Sequence, residues 1–152
     1  MQDTEIDART LDSILQLKDG IAAKSLTYGV IGVGYVGLPL ATAFSKAGVA
    51  VTGFDLDEAR VKMLNDGQSY IPDISNDLLR PLVANGMFQA TYDMRRLSEV
   101  DVLSICVPTP LSKTRDPDIT YVVAATAEVA RNLRKGQVVI LESTTYPGTT
   151  RE

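Results

Sequence analysis

The sequence predicts an α/β fold, a doubly wound parallel sheet with helices on both faces, and three observations carry that prediction. Short β-rich apolar runs alternate with helical stretches along most of the chain, the pattern of strand–helix–strand units. Glycines stand where three of those helices should stop, at Gly48, Gly67 and Gly86. Two runs, Val102–Val107 and Val138–Leu141, are almost wholly apolar, as strands covered on both faces are.

In chain order, residues 1–9 are polar and expected to fray. From Thr10 to about Lys24, Leu11, Ile14, Leu15 and Leu17 recur near helical spacing. This reads as an amphipathic helix in an N-terminal extension, residues 1–25, that packs on the outside of the domain or on a partner subunit. Residues 26–152 form the main domain. Tyr28–Ile31 is its first strand, followed by a glycine loop and a helix over Tyr35–Ala47. Ala50–Phe54 is a second strand, Asp57–Asp66 a second helix of the domain and Asn76–Asn85 a third. Phe88–Thr91 is a short third strand, Asp101–Val107 a buried fourth, Ile119–Leu133 a helix and Val138–Glu142 a fifth strand. No sixth strand follows, so an open sheet edge is expected. The loop Pro108–Pro117 is long and holds three prolines, so it is expected to be ordered by function or partly mobile.

Composition narrows the function classes. The chain has 152 residues, 45% hydrophobic and 22% charged, enough apolar material for one core. Its net charge of −4 argues against a nucleic-acid-binding face, which needs clustered Lys and Arg. There is one cysteine, Cys106, and no histidine, so neither an internal disulfide nor a Cys/His metal site is expected. No apolar run reaches the roughly 18 residues of a membrane span, and the acidic start is no signal peptide. A cytoplasmic protein without metal is the expectation.

The central motif is Gly32-Val-Gly34-Tyr35-Val36-Gly37, directly after the first strand and opening a helix. Gly32 permits the tight turn, Gly34 lets backbone approach a pyrophosphate, and Gly37 lets the helix pack close to the strand. The helix N-terminus then presents N–H groups and positive dipole to phosphate. Glycines serve many ordinary turns, and the motif alone is weak. Here it has a strand before it, a helix after it, and Asp55 at the end of the second strand, 18 residues past Gly37. A carboxylate there accepts from ribose hydroxyls and repels a 2′-phosphate. These features predict a Rossmann-type domain that binds NAD in preference to NADP. The plainer reading of Asp55 is a helix N-cap or turn residue.

Four stretches, VIGVGYVGLPLA (30–41), GFD (53–55), CVPTPL (106–111) and ESTTYPGTT (142–150), resemble the UDP-glucose/GDP-mannose dehydrogenase family. The resemblance covers about residues 27–152, and SYIPDI (69–74) with PLSKTRDPD (110–118) looks most like the branch acting on UDP-N-acetylhexosamines. It implies oxidation of a sugar C6 alcohol to a carboxylate with two NAD, polysaccharide-precursor synthesis, and a homodimer at full length. By position it implies that Asp55 and Arg60 hold the adenosine ribose and that Thr109 lines the pyrophosphate or nicotinamide side. Glu142 and Thr144 would face the nicotinamide and reaction centre in a supporting catalytic role. Each has a plainer alternative: a solvated helix residue for Arg60, a turn for Thr109, a satisfied backbone donor for Thr144. Glu142 is unsuited to unpaired burial.

The family's nucleophilic cysteine and lysine belong to regions with no counterpart here. Cys106, inside a strand, reads as a small buried hydrophobe. The chain is therefore expected to bind NAD without turning over a UDP-sugar. Three rivals stand beside this reading. They are a 3-hydroxyacid or 6-phosphogluconate-type dehydrogenase domain, an S-adenosylmethionine methyltransferase, and a stand-alone NAD-binding module.

Overall fold

The computed structural model describes residues 8–110, 118–145 and 148–149, and the side chains from residue 10 onward within them. Residues 1–7 and most of the proline-containing loop lie outside the described residues. So do Tyr146, Pro147 and Thr150 of the ESTTYPGTT stretch.

Helix α1 (Ala8–Ala23) starts two residues earlier than its apolar spacing suggests. The elements then follow the expected alternation: β1 (Thr27–Ile31), α2 (Gly37–Lys46), β2 (Ala50–Phe54), α3 (Glu58–Asn65) and α4 (Asn76–Ala84). β3 (Phe88–Thr91), β4 (Val102–Ile105), α5 (Thr120–Asn132) and β5 (Val138–Leu141) complete it. A 3-10 turn at Met94–Glu99 was not legible. Its sequence is polar except for Met94 and the fully buried Leu97, and its start is fixed by Asp93 accepting from the Arg95 N–H.

All pairings are parallel, and the strand order is β3-β2-β1-β4-β5. The chain builds outward from β1 to β3, then returns to the other side of β1 for β4. This reversal opens a crevice above the carboxyl ends of β1 and β4, where ligands of open α/β sheets bind. Two cores lie on opposite faces of the sheet. One gathers Val30, Leu38, Leu64, Leu79 and Phe88 under α2, α3 and α4. The other gathers Phe54, Leu97, Leu103, Ile105 and Val129 under α5 and the 3-10 turn. The doubly wound prediction is borne out.

One expectation fails. β4 is buried along its length save at Val102, but β5 is not covered on both faces: Val138, Val139 and Ile140 are 36%, 41% and 36% exposed. An apolar run signals strand propensity and burial potential, whereas actual burial depends on neighbours. Among the described residues β5 is an edge strand, paired only with β4. Beside it, α1 encloses an apolar groove with the amino-terminal end of the sheet, lined by Ile14, Leu17, Ile21, Leu26, Phe44 and Val138. Among the described residues no helix is long and apolar enough to cross a membrane.

At the amino ends of the strands, Asp101 accepts from both the Thr27 N–H and its hydroxyl at 2.9 Å. Arg134 then bridges the Asp101 carboxylate to the carbonyls of Ser98 and Val100, tying β1, β4 and the approach to β5 together.

Phe54 is fully buried at the end of β2, directly below the crevice. Phe54→Ala should destabilise the chain by about 3–5 kcal/mol through lost burial and the cavity left behind. A urea titration checks this, as a fall in midpoint with little change in slope.

Candidate functional site

The glycine turn is fixed by its neighbours. Gly32 has φ +87°, its N–H donates to the Phe54 carbonyl at 2.8 Å, and a Cβ there would lie 2.8 Å from the Cys106 carbonyl oxygen. The turn is thus wedged between the ends of β2 and β4 and can be made only by glycine. Gly37 packs harder still: a Cβ on it would stand 1.9 Å from the Gly32 carbonyl oxygen and 3.0 Å from Val30. Gly34 differs, because a Cβ there would meet nothing within 4 Å. The protein's own packing does not demand glycine at 34, and the free space over the loop suits close approach by a ligand. Val36, at the N-cap of α2, makes no side-chain capping bond. In the first turn the Leu38 N–H donates to the Gly34 carbonyl at 3.0 Å and Pro39 has no N–H, so no side-chain cap competes for the N–H groups that remain to face phosphate. Tyr35 and Val36 are 75% and 61% exposed around this end.

Asp55 follows β2 with its side chain 12% exposed. Its Oδ1 accepts from the Asp57 N–H at 3.0 Å, and its Oδ2 lies 3.9 Å from Arg60 Nη1. The helix cap is Asp57, which accepts from the Ala59 and Arg60 N–H groups. Asp55 is therefore a turn residue on one oxygen and faces a cation on the other. The half-exposed Arg60 is more than a solvated helix residue: its guanidinium lies 5.4 Å over the Tyr70 ring and pairs with Asp57 at 3.4 Å.

On the opposite wall, the end of β5 folds over β4. The N–H groups of Glu142 and Ser143 both donate to the Ile105 carbonyl, and the Ser143 hydroxyl donates to the Val107 carbonyl at 2.8 Å. Glu142 and Thr144 are left exposed, consistent with a carboxylate kept out of unpaired burial. Cys106 is buried, as expected of a small apolar residue, and burial, then the nearby Glu142 carboxylate, pushes its thiol up to about 11.

One cleft of about 820 Å³ joins these parts. Gly32, Gly34, Tyr35, Val36, Asp55, Arg60, Thr109, Glu142 and Thr144 all line it, and Gly37 lies beneath as the packing residue. A smaller hollow of about 430 Å³ shares Gly32, Asp55 and Arg60 and extends past Leu56, Pro108 and Tyr121. The sequence reading did not foresee Met63, Tyr70, Ile71 or Ser143 in the lining. Tyr70 and Ile71 belong to SYIPDI, and no local spacing rule connects that stretch to a glycine loop more than thirty residues earlier.

Residues 26–152 match the NAD binding domain of the UDP-glucose/GDP-mannose dehydrogenase family. The chain belongs to this family. Its UDP-N-acetyl-D-glucosamine 6-dehydrogenase from Pseudomonas aeruginosa is 36% identical over 85% of this chain, and this chain covers 30% of that protein. The UDP-N-acetyl-D-mannosamine dehydrogenase of Salmonella typhimurium is 40% identical over 83% of the chain and 30% of its own length. Among solved structures, GDP-mannose dehydrogenase from P. aeruginosa superposes with TM-score 0.78 at 30% identity, over 82% of this chain and 30% of that one. A UDP-N-acetylmannosamine dehydrogenase from Pyrococcus horikoshii gives 0.77 at 38% identity, over the same shares. The chain thus spans about three-tenths of the length of these relatives. As in the rest of the family, NAD is the cofactor of this dehydrogenase domain, and the open space above Gly34 beside uncapped donors fits it.

The raised thiol has a chemical consequence. Reactive thiolate should be scarce at Cys106 at neutral pH and increase as pH rises toward about 11. Alkylation by iodoacetamide at pH 8 should run at least on the order of a hundredfold slower than at a free thiol of pKa about 8.5. A mass-spectrometric time course across pH checks it.

Proposed function

We propose that this chain is the NAD-binding part of a nucleotide-sugar 6-dehydrogenase. The enzyme would oxidise the C6 alcohol of a UDP-N-acetylhexosamine to the uronate with two NAD. The observation that carries the reading is the convergence of the glycine turn, Asp55 with Arg60, and Glu142 with Thr144 on one cleft. Relatives named for UDP-N-acetylglucosamine and UDP-N-acetylmannosamine support the substrate class.

Each residue then has a task. The first turn of α2 receives the pyrophosphate, with Gly34 leaving the space for it. Asp55 accepts from the adenosine ribose hydroxyls and disfavours a 2′-phosphate, while Arg60 closes over the ribose. The apolar hollow past Leu56 and Tyr121 accepts the adenine base. Thr109 lines the stretch toward the nicotinamide, and Glu142 and Thr144 face the ring and the substrate carbon. The nicotinamide, when bound, supplies the hydride acceptor. Residues 1–25 form a helical extension, and residues 26–152 form the cofactor domain of a cytoplasmic, homodimeric enzyme.

Cys106 is the sole thiol of the chain, and it is buried with its pKa raised. A covalent thiohemiacetal needs a positioned thiolate. The 152-residue chain is therefore proposed to bind NAD without oxidising a UDP-sugar.

Calorimetric titration with NAD, NADP and S-adenosylmethionine in parallel tests the reading. Binding of NAD alone, with no NADH formed from UDP-N-acetylglucosamine or UDP-N-acetylmannosamine, is the expected result. Preference for S-adenosylmethionine would overturn the cofactor assignment, and NADH formation would overturn the proposed inactivity. Asp55→Ala should lower NAD affinity roughly 10- to 150-fold by removing charge-assisted bonds of about 1.5–3 kcal/mol. Unchanged affinity would return Asp55 to a turn-forming role.

A further inference from the structure

Tyr70 stands apart from the residues that carry the proposed function, and it touches two of their groups at once. Its hydroxyl donates to the Val33 carbonyl at 2.6 Å, inside the glycine turn and 37 positions away in sequence. Its ring lies under the Arg60 guanidinium at 5.4 Å, and Arg60 is in turn 3.9 Å from Asp55.

We propose that Tyr70 is a positioning residue for cofactor binding, holding both the glycine turn and Arg60 in the arrangement that receives the dinucleotide. The inference rests on the NAD-binding reading above and extends it to a residue that neither the motif nor the ribose carboxylate includes.

The loop action follows from peptide geometry. In a trans peptide the C=O and the next N–H lie in one plane and point in opposite directions. A bond that fixes the Val33 carbonyl therefore fixes the plane of the peptide entering Gly34. Gly34 has no side chain to hold that plane, and a Cβ there would meet nothing within 4 Å. The residues that follow it, Tyr35 and Val36, lead into the uncapped first turn of α2. The Leu38 N–H holds the Gly34 carbonyl at 3.0 Å on the far side of that residue. Without the Tyr70 bond the peptide before Gly34 would sample several orientations, and ligand binding would bear the entropy of selecting one.

Tyr70 can act as an anchor because its own position is fixed. The Ser69 N–H donates to Asn76 Oδ1 at 2.8 Å, and the Ser69 hydroxyl exchanges bonds with Ile71 at 3.1 Å. Ile71 and Ile74 are buried in the core under α2 and α4. The loop is thus bolted to the domain on both sides of the tyrosine. Burial and the nearby Asp55 carboxylate raise the Tyr70 hydroxyl to about 12, so it remains a donor throughout the working pH range.

The two arms separate experimentally. Tyr70→Phe removes the hydroxyl and keeps the ring under Arg60, whereas Tyr70→Leu removes both. Adenosine carries the ribose without the pyrophosphate, so it reads the Arg60 arm alone. In calorimetry with the 152-residue chain, Tyr70→Phe should weaken NAD about two- to tenfold and leave adenosine unchanged. Tyr70→Leu should weaken adenosine as well, by about two- to fivefold, a loss that Phe at the same position restores. In an Arg60→Ala background, Tyr70→Phe should retain its full effect on NAD, a comparison that leaves the core intact. NAD affinity unchanged in Tyr70→Phe, with only a lower melting temperature, would overturn the inference by making Tyr70 purely structural. Wild-type chain that takes up no NAD would instead remove the cofactor reading, and the inference with it.

Discussion

The contact between Gly37 and the Gly32 carbonyl is the constraint on which the site depends. A methyl group at position 37 would stand 1.9 Å from that oxygen, so any other residue would drive α2 away from β1. With hydrogen alone at that point, the helix settles onto the strand and Leu38 and Ala41 reach the core without exposure. The same seating brings the start of α2 to the carboxyl end of β1, at the crevice created by the reversal in strand order. One missing Cβ thus sets core packing and phosphate-site geometry together. Destabilisation and loss of cofactor affinity are accordingly hard to separate at Gly37 and separable at Gly34, where no internal contact is at stake.

The two ends of the sheet use the same chemistry for different ends. At the amino end, Asp101 is met by Thr27 and Arg134, and Arg134 also donates through Nε and Nη2 to two backbone carbonyls. That arrangement is closed, and its role is to fix β1, β4 and the start of β5 in register. At the carboxyl end, Asp55 meets one N–H and stands 3.9 Å from an arginine that is half exposed and stacked on an aromatic ring. This second set is bonded less completely and opens onto a cleft. A carboxylate and a guanidinium that are not locked onto each other keep capacity for a third partner. That difference in saturation, more than residue type, distinguishes a ligand site from a structural clamp.

Much of this was legible in the sequence because it depends on local chemistry. Strand runs, glycine stops, the glycine turn and Asp55 all obey spacing rules that operate within some twenty residues, and the structure has them at the expected places. Tyr70 escaped because its partners lie 10 and 37 positions away, and only the packing of the Ser69–Ile74 loop brings them together. The exposure of β5 was legible only as an open sheet edge. VVIL has the composition of a strand covered on both faces, but composition records what a segment can bury, not what lies beside it. Asp57 shows a subtler limit. Two aspartates flank Leu56, and only the fold assigns capping to Asp57 and leaves Asp55 to the cleft.

The floor of the cleft bears on the proposed separation of cofactor binding from covalent chemistry. Cys106 lines the cleft beneath the glycine turn, beside Glu142, where a thiol invites reading as a nucleophile. Its surroundings work against that use. Burial disfavours the thiolate, and the adjacent carboxylate adds a like charge, so both push the same way. A nucleophilic cysteine needs the reverse, a cation or helix N-terminus that stabilises negative charge. In the proposed binding mode the N-terminus of α2 is given over to the pyrophosphate. Kept neutral, the thiol leaves the proposed cofactor cleft without a nucleophile in its floor.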